Sequence, residues 1–224
     1  MSHPAIITTA DDARAWMVAN LGVSRETLGQ IDRYITALRA ENARQNLVSA
    51  STLDDDSIWC RHILDSAQLL ALAGQSGGNW VDLGSGAGLP GLVIAILAPQ
   101  WRVTLVEQRR LRCDFLRSFC ANEGLETRII VNEARIECLP ASQYDVISAR
   151  AFAPLERLLP MACHLAGEST LWLLPKGKNA QLELSTLSPA WQTVFTITSS
   201  LTSAESHILI GHGAMNIEKA RKRG

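Results

Sequence analysis

The sequence predicts an α/β protein: a mostly parallel, seven-stranded sheet with helices on both faces, preceded by an N-terminal helical cap. Three observations support this prediction. From residue 79 onward, short apolar runs rich in β-branched residues alternate with helical runs, which is typical of a parallel sheet. A glycine-rich turn joins the first of these strands to the helix that follows it. Residues 11–72 show helical apolar spacing and no strand pattern.

The cap is predicted to contain three helices. The acids at positions 11–12 precede an apolar-spaced run and are interpreted as a helix N-cap. A second helix covers residues 24–43. A third begins after Thr52 or Asp54 and ends before the glycine-rich linker at 74–78.

The sheet is predicted from seven strand patterns beyond that linker. They cover residues 79–83, 102–107, 127–131, 144–150, 170–174, 191–198 and 206–210. Helical patterns lie between the earlier strands, at 92–97, 110–122, 155–165 and 181–187, with a short helix or turn at 133–139. The last two strands have no helix between them, which predicts an antiparallel hairpin at one edge.

The stretch from Asn79 to Gly91 is the most informative part of the chain. Its apolar strand ends in glycines at positions 84, 86, 88 and 91, and an apolar helical run follows at once. Glycine permits positive φ and a close backbone approach, so the turn can hold a ligand against amides at a helix start. Four glycines also fit an ordinary tight loop, but the strand–turn–helix context favours a nucleotide-type cofactor.

Two cofactor classes fit this turn. Residues 86–91 match the dinucleotide pattern GxGxxG, and Glu107 lies at the spacing where an acid binds a ribose, which supports a dehydrogenase. S-adenosylmethionine is favoured by Asp82, because a carboxylate attracts a cationic ligand's amino group and repels a pyrophosphate. The glycines from position 84 also follow the G-x-G-x-G pattern of an adenosylmethionine loop.

Composition is that of a globular protein. Of 224 residues, 47% are apolar and 19% are charged, with a formal net charge of −1. The longest apolar run, near residues 92–98, is stopped by Pro99 and is too short to span a membrane. Residues 1–4 lack the beginning of a signal peptide, so we expect a cytoplasmic protein.

The five cysteines include no CxxC pair, which is typical of reduced thiols in a cytosolic protein. The spacing of His and Cys resembles no ligand set, so no metal site is expected. Charge is unevenly distributed: residues 54–56 are acidic, whereas basic residues cluster after the second strand and in the tail 214–224. These basic residues are Arg109, Arg110, Arg112, Arg117, Lys219, Arg221, Lys222 and Arg223. Such patches can contact phosphates although the net charge is near zero.

Ligands of parallel α/β sheets bind at the carboxyl ends of the strands. This rule selects a set of candidates that we expect to converge on one crevice. They are the glycine turn, Glu107, Ile136, Glu137, residues 148–150 and Lys176.

Three motifs in this order resemble the bacterial 16S rRNA guanine N7-methyltransferases of the RsmG (GidB) family. They are residues 62–66 (HILDS), 82–91 (DLGSGAGLPG) and 146–153 (VISARAFA). Residues 175–177 and 205–209 fit the family too, and the resemblance extends from about residue 30 to 212.

The resemblance implies that the strand-containing part of the chain, residues 75–213, is a Rossmann-like class I methyltransferase domain. It follows the helical cap at 1–74 and precedes the basic tail 214–224. It implies S-adenosylmethionine as the donor and guanine N7 in the 530 loop of 16S rRNA (guanine 527) as the target. The partner would be 16S rRNA or the small ribosomal subunit. The family's cofactor contacts match Gly84, Leu89, Ile136, Glu137 and Arg150.

Candidate residues follow from both lines of reasoning. Those for the cofactor are Asp82, Gly84, Gly86, Gly88, Leu89, Glu107, Ile136, Glu137 and Arg150. Those for the substrate are His62, Arg109, Arg110, Arg150 and Lys176. Structural alternatives stay open: Asp82 can cap the turn, Arg150 can form a salt bridge, and His62, Asp65 and Ser66 can form a hydrogen-bonded helix face.

Methyl transfer to guanine N7 requires alignment more than proton transfer, because the sulfonium is already activated and N7 carries a free lone pair. Alignment can lower a barrier by about 7 to 11 kcal/mol. We therefore expect no general base and assign no catalytic residue. The sequence also lacks the Asn/Asp-Pro-Pro-aromatic motif of exocyclic amine methylation and the Pro-Cys nucleophile of pyrimidine C5 methylation.

Three competing functions stay open on the sequence alone: methylation of a small metabolite, RNA binding without catalysis, and dehydrogenation. An enclosed apolar pocket would favour a small metabolite, whereas an open crevice with a basic rim would favour RNA. A dehydrogenase would bind a nicotinamide nucleotide instead of adenosylmethionine.

Overall fold

The strands of the computed structural model, which describes residues 5–74 and 76–214, form one mixed sheet. They are β1 (Gly78–Leu83), β2 (Trp101–Glu107), β3 (Ile129–Glu133), β4 (Tyr144–Ser148), β5 (Ala166–Lys176), β6 (Phe195–Ser199) and β7 (His207–His212). The order across the sheet is β3-β2-β1-β4-β5-β7-β6. Strands β1 to β5 pair in parallel, whereas β7 is antiparallel to β5 and β6. The predicted fold class is confirmed, including the hairpin at one edge.

Helices cover both faces of this sheet. The cap contains α1 (Ala10–Leu21), α2 (Arg25–Gln45), α3 (Asp55–Ile58), a π-helix (Trp59–Leu64) and α4 (Asp65–Ala73). The remaining helices are α5 (Gly91–Leu97), α6 (Arg110–Asn122), α7 (Leu155–Ala162), α8 (Ala180–Ser185) and α9 (Pro189–Gln192). Short 3₁₀ turns lie at Ala50–Thr52, Ile136–Cys138 and Cys163–Leu165.

Two details of the predicted elements are wrong. Thr9, not the acids at 11–12, caps α1, because its side chain accepts a hydrogen bond from the Asp12 amide. The acids instead lie in the first turn, where the helix dipole favours negative charge. The predicted strand at 191–198 begins late: α9 occupies its first residues, since Pro189 suits the first position of a helix.

The third cap helix contains a π-helical turn at the position of the HILDS motif. Helices α3 and α4 follow one another through Trp59–Leu64 without a break. Such turns place one extra residue in the helix and occur frequently at functional sites. His62 within this turn and Asp65 directly after it both line a cavity at the carboxyl ends of the strands.

One face of the sheet shares its hydrophobic core with the cap. Ile31 and Ile63 of the cap and Ile94 of α5 belong to the same buried cluster. A second cluster, around Leu158 and Trp172, fills the opposite face. Fully burying such a side chain contributes about 1.5 to 3 kcal/mol, so both layers stabilise the sheet. The proposed division at residue 74 stays a prediction, and the tail beyond Ala214 lies outside the described residues.

Candidate active site

Two adjoining cavities lie at the carboxyl ends of the parallel strands. The first, of about 410 Å³, is lined by Gly84, Glu107 and Ile136, among others. The second, of about 680 Å³, lies between the cap and the end of β5. Both are lined by residues 151–154, which follow β4. The expected convergence of strand ends on one crevice is therefore observed, with residues 151–154 dividing the crevice in two. We call these spaces the first and second cavity and residues 151–154 the dividing loop.

The glycine turn adopts the backbone that its sequence predicts, with positive φ at Gly84, Gly86 and Gly88. Gly84 lines the first cavity. A Cβ on Gly84 would overlap Phe152 Cδ2 and lie 2.9 Å from Cγ. Gly86 and Gly88 line neither cavity, and Leu89 is buried behind the turn. Their contact with a cofactor stays a prediction.

Asp82 lies behind the glycine turn and is fully buried. Its Oδ1 accepts a hydrogen bond from Ser148 Oγ at 2.8 Å, and its Oδ2 accepts one from the Gly91 amide at 3.1 Å. Burial raises the pKa of Asp82 to about 6, although these hydrogen bonds oppose the shift. This is the capping arrangement, because Gly91 begins α5. Direct contact between Asp82 and a ligand's amine stays a prediction.

Glu107 ends β2 at the floor of the first cavity and is 5% exposed. Its Oε2 accepts the Gly86 amide at 3.0 Å, and its Oε1 accepts the Arg109 amide at 2.9 Å. Arg112 Nη1 lies 3.5 Å from Oε2. These contacts fix the carboxylate beside the turn, where a ribose diol could share its oxygens.

The 3₁₀ turn after β3 supplies another wall of the first cavity. Ile136 is buried and lines the cavity as an apolar surface. Glu137 also lines the cavity, and its Oε1 lies 3.5 Å from Arg135 Nη2.

Arg150 connects the end of β4 to the cap. Its Nη1 donates to the Arg61 carbonyl at 3.0 Å and lies 3.4 Å from Asp65 Oδ2. Its Nη2 lies 3.2 Å from His62 Nδ1. Arg150 lines the second cavity and not the first. The salt-bridge alternative thus describes its observed contacts, and its predicted contact with the donor is untested.

The hydrogen bonds around His62 define its tautomer. An arginine only donates, so Nδ1 of His62 accepts and the ring proton lies on Nε2. Nε2 then donates to Thr52 Oγ1 at 2.8 Å, and that hydroxyl donates to the Ser49 carbonyl at 2.8 Å. Burial, with Arg150 adding to it, lowers the pKa of His62 to about 3. Ser66 is not available to a ligand, because it is fully buried and its Oγ donates to the His62 carbonyl at 2.6 Å.

Replacing His62 by glutamine is expected to flatten the acid side of the stability curve. Between pH 6.5 and pH 3 the unfolded chain binds a proton that the folded chain excludes, so this histidine lowers stability as pH falls. The contribution lost between pH 8 and pH 5 is about 2 kcal/mol. Urea unfolding at both pH values measures it, because the stability gap between wild type and His62→Gln should shrink by that amount. A difference in unfolding free energy that does not change with pH would contradict a buried His62 that stays neutral in the folded chain.

Lys176 lies at the end of β5 and lines the second cavity. Its Nζ donates to Glu183 Oε2 at 2.8 Å and to the Ala153 carbonyl at 3.0 Å. Only 11% of the side chain is exposed. Lys176 therefore braces the dividing loop, and its predicted contact with substrate is untested.

Arginines surround the mouth of the first cavity. Arg109 lines it and is exposed, whereas Arg110 points outward beside Asp114 and lines neither cavity. The lining also includes Arg112, Arg135 and Arg157, of which the last two were not selected from the sequence. No sequence signal groups them, because Arg135 and Arg157 come from loops and helices that only the fold brings together.

Sequence reasoning also missed three residues that shape the site. Phe152 lines both cavities, and Glu183 holds Lys176 in place. Tyr34 of α2 donates a hydrogen bond to the Ala87 carbonyl at 3.0 Å, which ties the cap to the glycine turn. Phe152 lies within the VISARAFA motif, and its aromatic character is the signal that could have revealed it.

A sequence model of the GidB family, described as rRNA small subunit methyltransferase G, matches residues 27–209. The chain belongs to this family. It is 50% identical over 211 residues to the ribosomal RNA small subunit methyltransferase G of Sphingopyxis alaskensis, covering 94% of this chain and 89% of the relative. Its identity to the protein of that name from Rhizorhabdus wittichii is 45% over 215 residues, covering 96% and 97%. The resemblance seen in the motifs is confirmed.

The fold of this GidB-family chain is also similar to a solved structure of an MtNAS variant in complex with S-adenosylmethionine. The TM-score is 0.54 at 20% identity, covering 81% of this chain and 76% of that chain. At this identity the likeness shows the fold alone. Within the described part of the GidB-family chain, no helix is long and apolar enough to cross a membrane. The same residues contain no group of three or more His, Cys, Asp or Glu side chains that could hold a metal ion.

Proposed function

We propose that the protein transfers a methyl group from S-adenosylmethionine to guanine N7 in the 530 loop of 16S rRNA (guanine 527), in line and without a general base. The observation that supports this most directly is the pair of cavities separated only by the dividing loop. A donor in one cavity and a base in the other would meet across that loop. Membership of the rRNA methyltransferase G family supports rRNA as the substrate class.

The residues of the first cavity fit S-adenosylmethionine. Gly84 lines the cavity at the end of β1, Glu107 offers carboxylate oxygens to ribose hydroxyls, and Ile136 offers an apolar wall to adenine. Glu137 lies beside that wall and can accept from an exocyclic amine. When bound, the donor supplies an activated methyl group, so the chain's contribution is to position the two reactants.

The second cavity fits an acceptor that needs no deprotonation. Its histidine has a pKa of about 3, and the Nδ1 lone pair of His62 already faces Arg150, so His62 is a poor base at neutral pH. Guanine N7 carries no proton, which agrees with that environment. The exposed residues Ser49 and Gly177 in its lining place the cavity at the surface, where an extruded nucleotide could enter.

The basic rim supports RNA over a small metabolite. Phosphates along an RNA strand would meet Arg109 and Arg110 beside the first cavity. Each phosphate contact steepens the fall of affinity with salt.

Replacing Arg109 and Arg110 together by glutamine is expected to weaken RNA binding. The slope of log K against log salt should become shallower by about 1 for each phosphate that the variant no longer binds. Filter binding of 16S rRNA or small subunits between 50 and 200 mM salt, roughly the range where such slopes are read, measures it. Arg102→Gln is the matched control, because this exposed arginine lies near the amino end of β2. Equal slopes for the two variants would argue against an RNA contact here.

Mass mapping of 16S rRNA tests the proposed activity itself. RNA from cells lacking this protein should miss one methyl group, and the purified protein with S-adenosylmethionine should restore it in vitro. An unchanged methylation pattern would overturn the proposal. Calorimetry with a nicotinamide nucleotide tests the dehydrogenase alternative, because a dehydrogenase would bind this nucleotide and release or absorb heat.

A further inference from the structure

Phe152 carries an exposed aromatic ring in the loop that divides the crevice. It is the only aromatic among the large apolar residues that are exposed in residues 5–74 and 76–214, with 38% of its surface accessible. It lines both cavities. A ring exposed at the wall that the two cavities share offers a flat apolar face to a ligand bound in either of them.

The ring is seated on the glycine turn. Phe152 Cγ, Cδ2 and Cε2 occupy the space next to Gly84 that a Cβ would otherwise fill. One edge of the ring is therefore supported by backbone at the point where the first cavity begins. The exposed remainder of the ring can contact a planar ligand.

The dividing loop is held on both sides of Phe152. Arg150, two residues before it, is bound by the Arg61 carbonyl and Asp65 of the cap. After it, the Ala153 carbonyl accepts a hydrogen bond from Lys176 at 3.0 Å. Ala151 has a φ of +49°, a conformation that a non-glycine residue adopts only when its surroundings impose it. The backbone on both sides of the ring is thus held in place by contacts with the cap and with Lys176.

We propose that Phe152 stacks on the target guanine in the second cavity and holds its N7 toward the donor in the first. This inference rests on the proposed methyltransferase function and names the residue that positions its substrate. Proteins hold unstacked or extruded bases by stacking them on aromatic side chains. Among the described residues that line the second cavity, Phe152 is the only Phe, Tyr or Trp, and the His62 ring is already bonded at both nitrogens.

The base is a better partner for this ring than the donor. The first cavity already has apolar walls for an adenine, in Val106, Ile136 and Met161. The second cavity combines aliphatic walls, in Leu47, Val48 and Pro175, with polar side chains that can bond the edges of a guanine. Among the described residues that line it, Phe152 alone offers an aromatic face on which the base can stack.

Three variants test the inference. Phe152→Leu removes the π surface and keeps apolar bulk, Phe152→Tyr keeps the ring, and Ile130→Ala is a control on the exposed edge strand β3, outside both cavities. Single-turnover and steady-state methyl transfer to unmethylated small subunits give kcat and KM, and calorimetry gives the Kd of S-adenosylmethionine. Phe152→Leu is expected to lower kcat/KM for RNA by about 10- to 100-fold, the range that base stacking contributes. In Phe152→Leu the Kd of S-adenosylmethionine should stay within about twofold of the wild-type value. Phe152→Tyr should have a kcat/KM within about threefold of wild type.

Three results would overturn the inference. The first is wild-type kcat/KM in Phe152→Leu, and the second is an equal loss in Phe152→Tyr. The third is a rise in the donor Kd that matches the loss of kcat/KM, which would place the ring in the donor site. A wild-type protein that transfers no methyl would instead refute the proposed function. Because Phe152 is exposed, thermal melting should show folded protein for every variant.

Discussion

Replacing Gly84 by valine is expected to weaken binding of S-adenosylmethionine by at least about 100-fold, or roughly 2.7 kcal/mol. Gly84 has a φ of +70°, which a β-branched residue strongly disfavours. Its new Cβ would also overlap the ring of Phe152, so the ring must move into one of the cavities that it lines. Calorimetric titration with the donor measures the loss.

Gly124→Val separates the local effect from backbone strain. Gly124 has nearly the same φ, +66°, but a Cβ there would meet nothing within 4 Å. The Gly124→Val variant should therefore be less stable than the wild type but bind S-adenosylmethionine with the same affinity. Gly84→Ala adds the Cβ alone, so donor binding can be measured on this variant if the valine variant does not fold. Donor binding within about threefold of wild type in Gly84→Ala would show that the turn does not face the donor.

The order of elements was predictable because each carries a local signal. Ser24 and Asp54 cap helices as their sequences indicate, since an Ncap hydroxyl or carboxylate satisfies an amide three residues on. The fold class was predictable because each strand and each helix carries its own apolar periodicity. The α9 helix was missed because Pro189 competes with an apolar strand pattern, and periodicity alone cannot rank the two.

The site was predictable only in part. The rule that ligands bind at strand ends placed Glu107, Ile136 and Lys176 correctly around the crevice. It could not show that Arg150 turns toward the cap, because that direction depends on Asp65 and His62 in and beside a π-helical turn far away in sequence. Burial behind the turn likewise separates Asp82 from Gly84 although they are two residues apart.

Replacing Asp82 by alanine is expected to lower the free energy of unfolding by about 2 to 5 kcal/mol. The change leaves the Gly91 amide and the Ser148 hydroxyl buried without their acceptor. It also opens a cavity beneath the glycine turn. Asp145→Ala is the matched control, because Asp145 accepts one backbone amide, that of Asn79, at the exposed end of β4. Urea unfolding near neutral pH should show a much smaller loss for the control, and equal losses would contradict the buried role of Asp82.

The pH dependence of the same site provides an independent measurement, with Asp82→Asn as the variant. The folded pKa of Asp82 is raised to about 6 from an ordinary 3.8, so its contribution to stability is present below pH 4 and lost as pH rises through 6. That loss is roughly 3 kcal/mol for two pKa units. The His62 contribution has the opposite sign over pH 3 to 6.5. Asp82→Asn should therefore gain stability relative to wild type as pH rises from 4 to 7, whereas His62→Gln should lose it. Opposite trends in the two difference curves distinguish the buried carboxyl of Asp82 from the buried imidazole of His62, because an unfolding artefact common to both variants would shift the two curves in the same direction.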